Sequence, residues 1–224
     1  MSRPRVLLAD DHSLVLEGIR KLLDTKVDLI GTVGDGRALV KAVEDTKVDV
    51  VLLDISMPLL NGIEAARQIK KTSPHTKLIF LTMHSDRDYV IETLRIGASG
   101  YLLKWSAEAE LVTAINTVMS GGVYLTPALP DITEILSLRS SAPRKNPGSL
   151  SVREREVLQL VVEGRSAKEI GDVLHLSAKT VEFHKYNMMK KVGVHTTIEL
   201  AKYAVERQLF GPRPGLGKSG PSFD

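Results

Sequence analysis

Across the first 125 residues, five short runs of apolar residues alternate with longer stretches whose apolar positions recur at helical spacing. The runs are Val6–Ala9, Leu29–Val33, Val48–Leu53, Leu78–Leu81 and Gly100–Leu103. Four are rich in Val, Ile or Leu with little polar alternation, which suits strands buried on both faces. Between them, Leu14, Ile19, Leu22 and Leu23 mark one helical stripe, and Ala38, Leu39, Ala42 and Val43 a second. Ile63, Ala66 and Ile69 mark a third, Val90, Leu94 and Ile96 a fourth, and Leu111, Ala114, Ile115 and Val118 a fifth. Five strand–helix units in succession predict a five-stranded parallel sheet, doubly wound, with helices on both faces. The punctuation agrees: Ser13 is expected to cap the first helix, Gly97 to end the fourth, and Ser106 to cap the fifth before Gly121-Gly122 stops it.

Beyond this region the strand pattern disappears. Residues 126–148 read as a linker, interrupted by Pro127, Pro130, Pro143 and Pro147, with a short helix expected over Asp131–Leu138. Residues 149–209 read as a second, all-helical domain of four helices. Ser151–Glu163 opens on a capping box, Ser151 with Glu154, and ends at Gly164. Ser166–Leu174 repeats the device with Glu169. After a tight turn at His175-Leu176 come Ser177–Val192 and Thr196–Arg207. Residues 210–224, dominated by Gly, Pro and Ser, are expected to be a disordered tail. The first domain then spans 3–125.

Composition narrows the function classes. The chain has no cysteine, which removes disulfides and thiolate chemistry. No run of about 18 apolar residues and no signal-peptide core occur, so a cytoplasmic protein away from membranes is expected. Residues 1–125 carry 15 Lys and Arg against 16 Asp and Glu, whereas residues 149–224 carry 12 against 9. The local excess at Lys179, Lys185, Lys190 and Lys191 suggests that only the second domain meets a polyanion.

In a parallel sheet, functional groups gather at the carboxyl ends of the strands. The first strand ends in Asp10-Asp11, the third in Asp54 and the fourth in Thr82, and the fifth is followed by Lys104. Singly, each has an ordinary reading as a helix cap, a turn former, a strand end or a solvated lysine. Together they form a chemical set. Three close carboxylates repel unless a cation sits among them, and an all-oxygen cluster suits Mg²⁺. Asp54 can then act as nucleophile towards a phosphoryl group, with Lys104 neutralising its oxygens and Thr82 receiving it through the hydroxyl.

Asp10-Asp11, Val51-Leu52-Leu53-Asp54-Ile55-Ser56-Met57-Pro58, Asn61-Gly62, Thr82 and Tyr101 with Lys104 resemble two-component response-regulator receivers, which have a flavodoxin-like fold. The resemblance covers residues 3–122. It implies that Asp54 takes phosphate from a sensor histidine kinase. It also implies that Asp11, Asp54 and the backbone carbonyl of Ser56 bind Mg²⁺, with Asp10 acting through water. Thr82 and Tyr101 would be the switch pair, the hydroxyl moving to the phosphoryl group and the ring turning inward. Met83 stands where a small residue is common, and is expected to obstruct the site partly or to alter switching rates.

The helices at Ser166–Leu174 and Ser177–Val192 make a helix-turn-helix, spanning Ser166 to Lys185. Val181, Met188 and Val192 are expected to face its core, while Phe183 lies about 200° round from Val181 and points outward with Glu182, Tyr186 and Lys179. Exposed aromatics beside lysines fit double-stranded DNA in the major groove, or equally a helical bundle packed on a neighbouring domain. On DNA, Glu182 would accept from cytosine and Phe183 would pack on a thymine methyl, while Lys179, Thr180, His184, Lys185 and Lys190 would meet phosphates. Leu150-Ser151-x-Arg153-Glu154-Arg155-Glu156-Val157-Leu158, Gly164, Lys168-Glu169-Ile170 and Ser177-x-Lys179-Thr180-Val181-Glu182-x-His184 resemble LuxR-type output domains. Glu182 and Tyr186 stand where some relatives carry basic residues. A receiver with this output is the NarL/FixJ class: DNA-binding transcription regulators, not enzymes, which form homodimers when phosphorylated, commonly using the last helix.

Two other readings compete. An aspartate-nucleophile phosphatase or phosphotransferase would need a second aspartate two residues after Asp54, where Ser56 stands. A protein-binding adaptor with a vestigial helix-turn-helix would show no salt-dependent DNA binding. On the leading reading, the unphosphorylated receiver is expected to rest on or near the recognition helix and to free it on phosphorylation.

Overall fold

All five apolar runs pair in a sheet; four of them bury both faces, while Leu29–Val33 lies at an edge and is only partly covered. They form β1 (Arg5–Ala9), β2 (Asp28–Val33), β3 (Val50–Leu53), β4 (Lys77–Thr82) and β5 (Gly100–Leu103). The structure, a computed structural model, describes residues 3–85, 87–129, 132 and 150–207. A sixth strand, β6 (Tyr124–Leu125), was not expected from the sequence. It pairs in parallel with β5, Tyr101 opposite Leu125, so the first residues after Gly121-Gly122 are built into the sheet edge. The order is β2-β1-β3-β4-β5-β6, every pair parallel.

That order places β1 between β2 and β3, the point from which the chain winds in opposite directions. Crossovers leave from β1 towards one edge and from β3 towards the other, opening a crevice above their carboxyl ends. The five intervening helices are α1 (Ser13–Leu23), α2 (Gly36–Asp45), α3 (Gly62–Thr72), α4 (Arg87–Ile96) and α5 (Ala107–Met119). One core joins β-strand residues Val6, Leu8, Leu52 and Ile79 to α1 and α5 through Ile19, Leu23, Leu111 and Ile115. The opposite face packs Leu7, Val51, Leu53 and Phe80 against α2, α3 and α4 through Leu39, Ile69, Val90 and Leu94. Alternate residues of a single strand serve opposite cores, the geometry expected of a two-faced buried sheet.

The caps differ in detail from expectation. His12, not Ser13, is the N-cap residue of α1, and its side chain makes no capping bond because it turns to Asp10 and Asp11. Ser106 does precede α5, but its hydroxyl bonds Leu103 O and Thr126 Oγ1 instead of the helix N–H groups.

The output half contains α6 (Val152–Val162), α7 (Ala167–Leu174), α8 (Ala178–Val192) and α9 (Thr197–Glu206). Capping boxes close α6 through Ser151 and Glu154 and α7 through Ser166 and Glu169; a third, Thr196 with Glu199, opens α9. His175, at φ 55°, supplies the left-handed residue of the tight turn between α7 and α8. Val157, Leu158, Ile170, Leu174, Val181, Met188 and Leu200 form a separate small core. The short helix expected at Asp131–Leu138 falls outside the described residues except at Ile132, as do most of the linker and the tail at 210–224.

Candidate functional site

Asp10, Asp11, Asp54 and Lys104 leave the ends of three strands and meet at one point. Lys104 Nζ lies 2.7 Å from Asp10 Oδ2 and 2.6 Å from Asp54 Oδ2. Asp54 Oδ1 accepts from the Ile55 N–H at 2.6 Å, so each oxygen of this carboxylate is held by a donor. Asp10 and Asp54 are both buried. Burial works to lower the Lys104 pKa, but Asp54 and Asp10 outweigh it and hold the ammonium above the usual lysine range.

Asp11 is more open. Partial burial, with the charges of Asp10 and Asp54, pushes its carboxyl above the usual carboxylate range against the pull of His12. His12 is the residue that reasoning from sequence missed: its Nδ1 sits 3.1 Å from Asp10 Oδ1 and 2.8 Å from Asp11 Oδ1. Ligand atoms of Asp10, Asp11, His12 and Asp54 all fall within 4.8 Å of one another. This convergence of carboxylate oxygens, two of the three groups buried, fits a hard divalent cation such as Mg²⁺.

The expected switch residues converge on another residue the sequence did not single out. Thr82 is fully buried, and its Oγ1 accepts from the His84 N–H at 3.4 Å. Tyr101 is also fully buried, its ring already turned inward, and its hydroxyl donates to the His84 carbonyl at 2.8 Å. The His84 ring bonds Ser56 Oγ at 3.0 Å and packs beside Tyr89. Ser56, two residues after Asp54, is thereby tied to the loop that follows Thr82. Met83 is 61% exposed, its bulk turned to solvent.

In the output half, Val181 and Met188 are buried, whereas Phe183 and Tyr186 on α8 are 62% and 61% exposed. Glu182, Lys179 and Lys190 are also exposed, and Thr180 and His184 are partly so. Lys185, expected to meet phosphate, has a mostly covered side chain whose Nζ bonds Glu182 Oε1 at 3.0 Å. Among the described residues, the receiver does not rest on this helix itself. The receiver touches the output through α6, and the aromatic face of α8 stays open.

A second ion pair fixes α8 against α6. Lys191 Nζ donates to both oxygens of Glu154, at 2.8 and 2.7 Å. Burial alone raises the Glu154 pKa, but Lys191 and the Ser151 N–H hold it below the usual carboxylate range. A depressed folded-state pKa contributes stability above the unfolded value, 4.5, that is lost as pH falls through the folded one. The melting temperature of the output domain is therefore expected to fall as pH drops below about 4.5, and Glu154→Gln to flatten that dependence in a thermal scan across pH.

Comparison with known proteins agrees with this geometry. Residues 6–116 match the response regulator receiver domain family, and residues 148–204 match the bacterial regulatory proteins of the luxR family. The chain belongs to the two-component response regulators of the NarL/FixJ class, transcription regulators that join a receiver to a LuxR-type DNA-binding domain. The response regulator UvrY of Escherichia coli is 38% identical over 209 residues, 91% of this chain and 94% of UvrY. The transcriptional regulatory protein MctR of Rhizobium johnstonii is 37% identical over 204 residues, 90% of this chain and 93% of MctR. Among solved structures, RcsB of Salmonella typhimurium is similar at 31% identity and a TM-score of 0.63, covering 92% of this chain and 98% of RcsB. An RcsB–DNA complex is similar at 32% identity and a TM-score of 0.55, covering 91% of this chain and 98% of that one. No helix among the described residues is long and apolar enough to cross a membrane.

Proposed function

We propose that Asp54 is the phosphoacceptor of this regulator and that its phosphorylation governs DNA binding through α8. The observation that carries this reading is the Lys104 bridge between Asp10 and Asp54, an ammonium held where a phosphoryl group would bring negative charge. An Asp54 carboxylate oxygen attacks the phosphorus of a phosphohistidine on a sensor kinase. The O–P bond forms as the N–P bond breaks, and the electron pair returns to the imidazole. Lys104 then pairs with the phosphoryl oxygens, and Thr82 donates its hydroxyl to them. Asp11, Asp54 and the Ser56 carbonyl would hold Mg²⁺, with Asp10 acting through water; the bound ion would supply the rest of the charge neutralisation.

On DNA, Glu182, Phe183 and Tyr186 read base edges from the major groove, while Lys179, Thr180, His184 and Lys190 hold phosphates. The Glu182–Lys185 pair presents an oriented carboxylate to a cytosine amino group. RcsB is known bound to DNA, including as two dimers on two parallel DNAs, which supports a homodimer here as well. Ile198 and Val205, exposed on one side of α9 and seven residues apart, suit the contact between copies.

The test is phosphoryl uptake from a small donor such as acetyl phosphate with Mg²⁺. The expected product is labile to hydroxylamine, as an acyl phosphate is, and Asp54→Asn abolishes it. Lys104→Ala is expected to lower the yield at least tenfold. It removes the ammonium that would neutralise the phosphoryl oxygens. A hydroxylamine-stable phosphoprotein, or undiminished uptake by Asp54→Asn, would remove Asp54 from the role.

A further inference from the structure

The contact between the two domains begins at the residue next to the phosphoacceptor. The Ile55 backbone is a hub on both sides of its Cα: its N–H donates to Asp54 Oδ1, and its carbonyl, one peptide on, accepts from Met57 N at 3.2 Å and Gly62 N at 2.9 Å. The loop it organises meets Gln159 of α6, which is almost fully buried. Gln159 Oε1 accepts from the Asn61 backbone N–H at 2.8 Å and from Asn61 Nδ2 at 3.1 Å. Gln159 Nε2 donates to the Met57 carbonyl at 2.8 Å and to Glu163 Oε1.

The surrounding contacts make this a specific surface. Leu59, held in the left-handed region at φ 63°, packs against the output core. Such a backbone angle costs a non-glycine residue energy that its surroundings must repay, and the apolar contact with the other domain is one place where that happens. Arg155 Nε of α6 donates to Glu64 Oε1 at 2.5 Å, and Gln68 Nε2 of α3 donates to Glu156 Oε1 at 2.8 Å. Glu64, Glu156 and Gln159 are all buried, so separating the domains rehydrates them together.

We propose that the loop Ile55–Asn61 is the receiver's docking surface for the output domain, that Gln159 is its latch, and that phosphorylation of Asp54 opens it. The proposal rests on the functional reading above. Phosphorylating Asp54 changes what the Ile55 N–H holds; the Ile55 backbone shifts, and the carbonyl of the following peptide carries Met57 and Gly62 with it. Both receiver partners of Gln159, Met57 and Asn61, move at once. Because the aromatic face of α8 is open while the domains are docked, the latch sets how the two output domains of a dimer are placed on DNA. It does not work by hiding the reading helix.

The absence of cysteine makes the test direct: Lys71→Cys and Lys168→Cys, both at exposed positions, accept a donor–acceptor dye pair on the full chain. In the otherwise unaltered protein, energy transfer is expected to change on treatment with acetyl phosphate and Mg²⁺. Gln159→Ala is expected to show the changed value without treatment, and to bind DNA about tenfold more tightly than the unphosphorylated parent, the effect of leaving buried hydrogen bonds unmade in the docked state. Leu59→Gly, which relieves the backbone angle while deleting the apolar contact, should move in the same direction by less. If both variants keep the parent's energy transfer before and after treatment, the latch is wrong. If phosphorylation alters DNA affinity but not energy transfer in the parent, the latch is again wrong and the functional reading stands. If Asp54 takes up phosphate and DNA affinity does not respond, both fall.

Discussion

Gly62→Ala is expected to unfold the receiver at concentrations of urea where the parent is intact, and to lose phosphoryl uptake along with stability. Gly62 opens α3 immediately after the phosphoacceptor loop, and its N–H donates to the Ile55 carbonyl. A methyl group placed there would lie 1.9 Å from the Asp54 backbone oxygen and 2.9 Å from its carbonyl carbon. Neither neighbour is a flexible side-chain end that can step aside. Relief requires the Asp54–Ile55 peptide or the start of α3 to shift, and both are held by buried hydrogen bonds. Overpacking of this kind costs about 3 kcal/mol or more, a large share of the stability of a domain this size. The check is a pair of urea titrations, read with hydroxylamine-labile phosphate uptake under folding conditions. A stable Gly62→Ala protein with normal uptake would mean that the loop is less tightly set than these distances require.

The second large effect belongs to α8. Removing Phe183 and Tyr186 together by Phe183→Ala and Tyr186→Ala is expected to weaken binding to a selected site by about ten- to a hundredfold. Binding to unrelated sequence should change little. Both side chains are exposed and neither supports the core, so the fold survives. Lys179→Ala with Lys190→Ala is expected to do the opposite: to weaken all sequences alike and to reduce the slope of log affinity against log salt by about two. Competition binding over a salt series separates the two patterns. Equal losses on specific and non-specific DNA for the aromatic pair would show that those rings do not read bases.

How much of this was legible in the sequence follows from the range of each interaction. The two-faced sheet is readable because the runs at β1, β3, β4 and β5 are mostly apolar with little polar alternation, and the strand ends then place Asp10, Asp11, Asp54, Thr82 and Lys104 on one edge. Capping boxes at Ser151 and Ser166 are local patterns four residues long, legible directly from the chain. β6 was missed because two residues, Tyr124 and Leu125, are too few to show a period. Serine is a strong capping residue, so the pattern points to Ser13 as the cap of α1; the two carboxylates beside His12 move the boundary by one position. His84, the residue that joins Ser56, Thr82 and Tyr101, lies in a loop where no periodicity marks burial. Least legible was the domain contact. Glu64 and Arg155 are 91 positions apart, and a polar pair across an interface leaves no trace in either local pattern. That the receiver meets the output through α6, and not through α8 itself, is hidden for the same reason.

The central claim, that phosphate at Asp54 controls DNA binding by α8, is tested most directly by selecting genomic DNA fragments with the full chain. The protein treated with acetyl phosphate and Mg²⁺ is compared with an Asp54→Asn protein treated in the same way. The account predicts that the treated parent enriches a two-fold symmetric site with half-sites about one helical turn apart, and that Asp54→Asn does not. Equal enrichment by both proteins would contradict it.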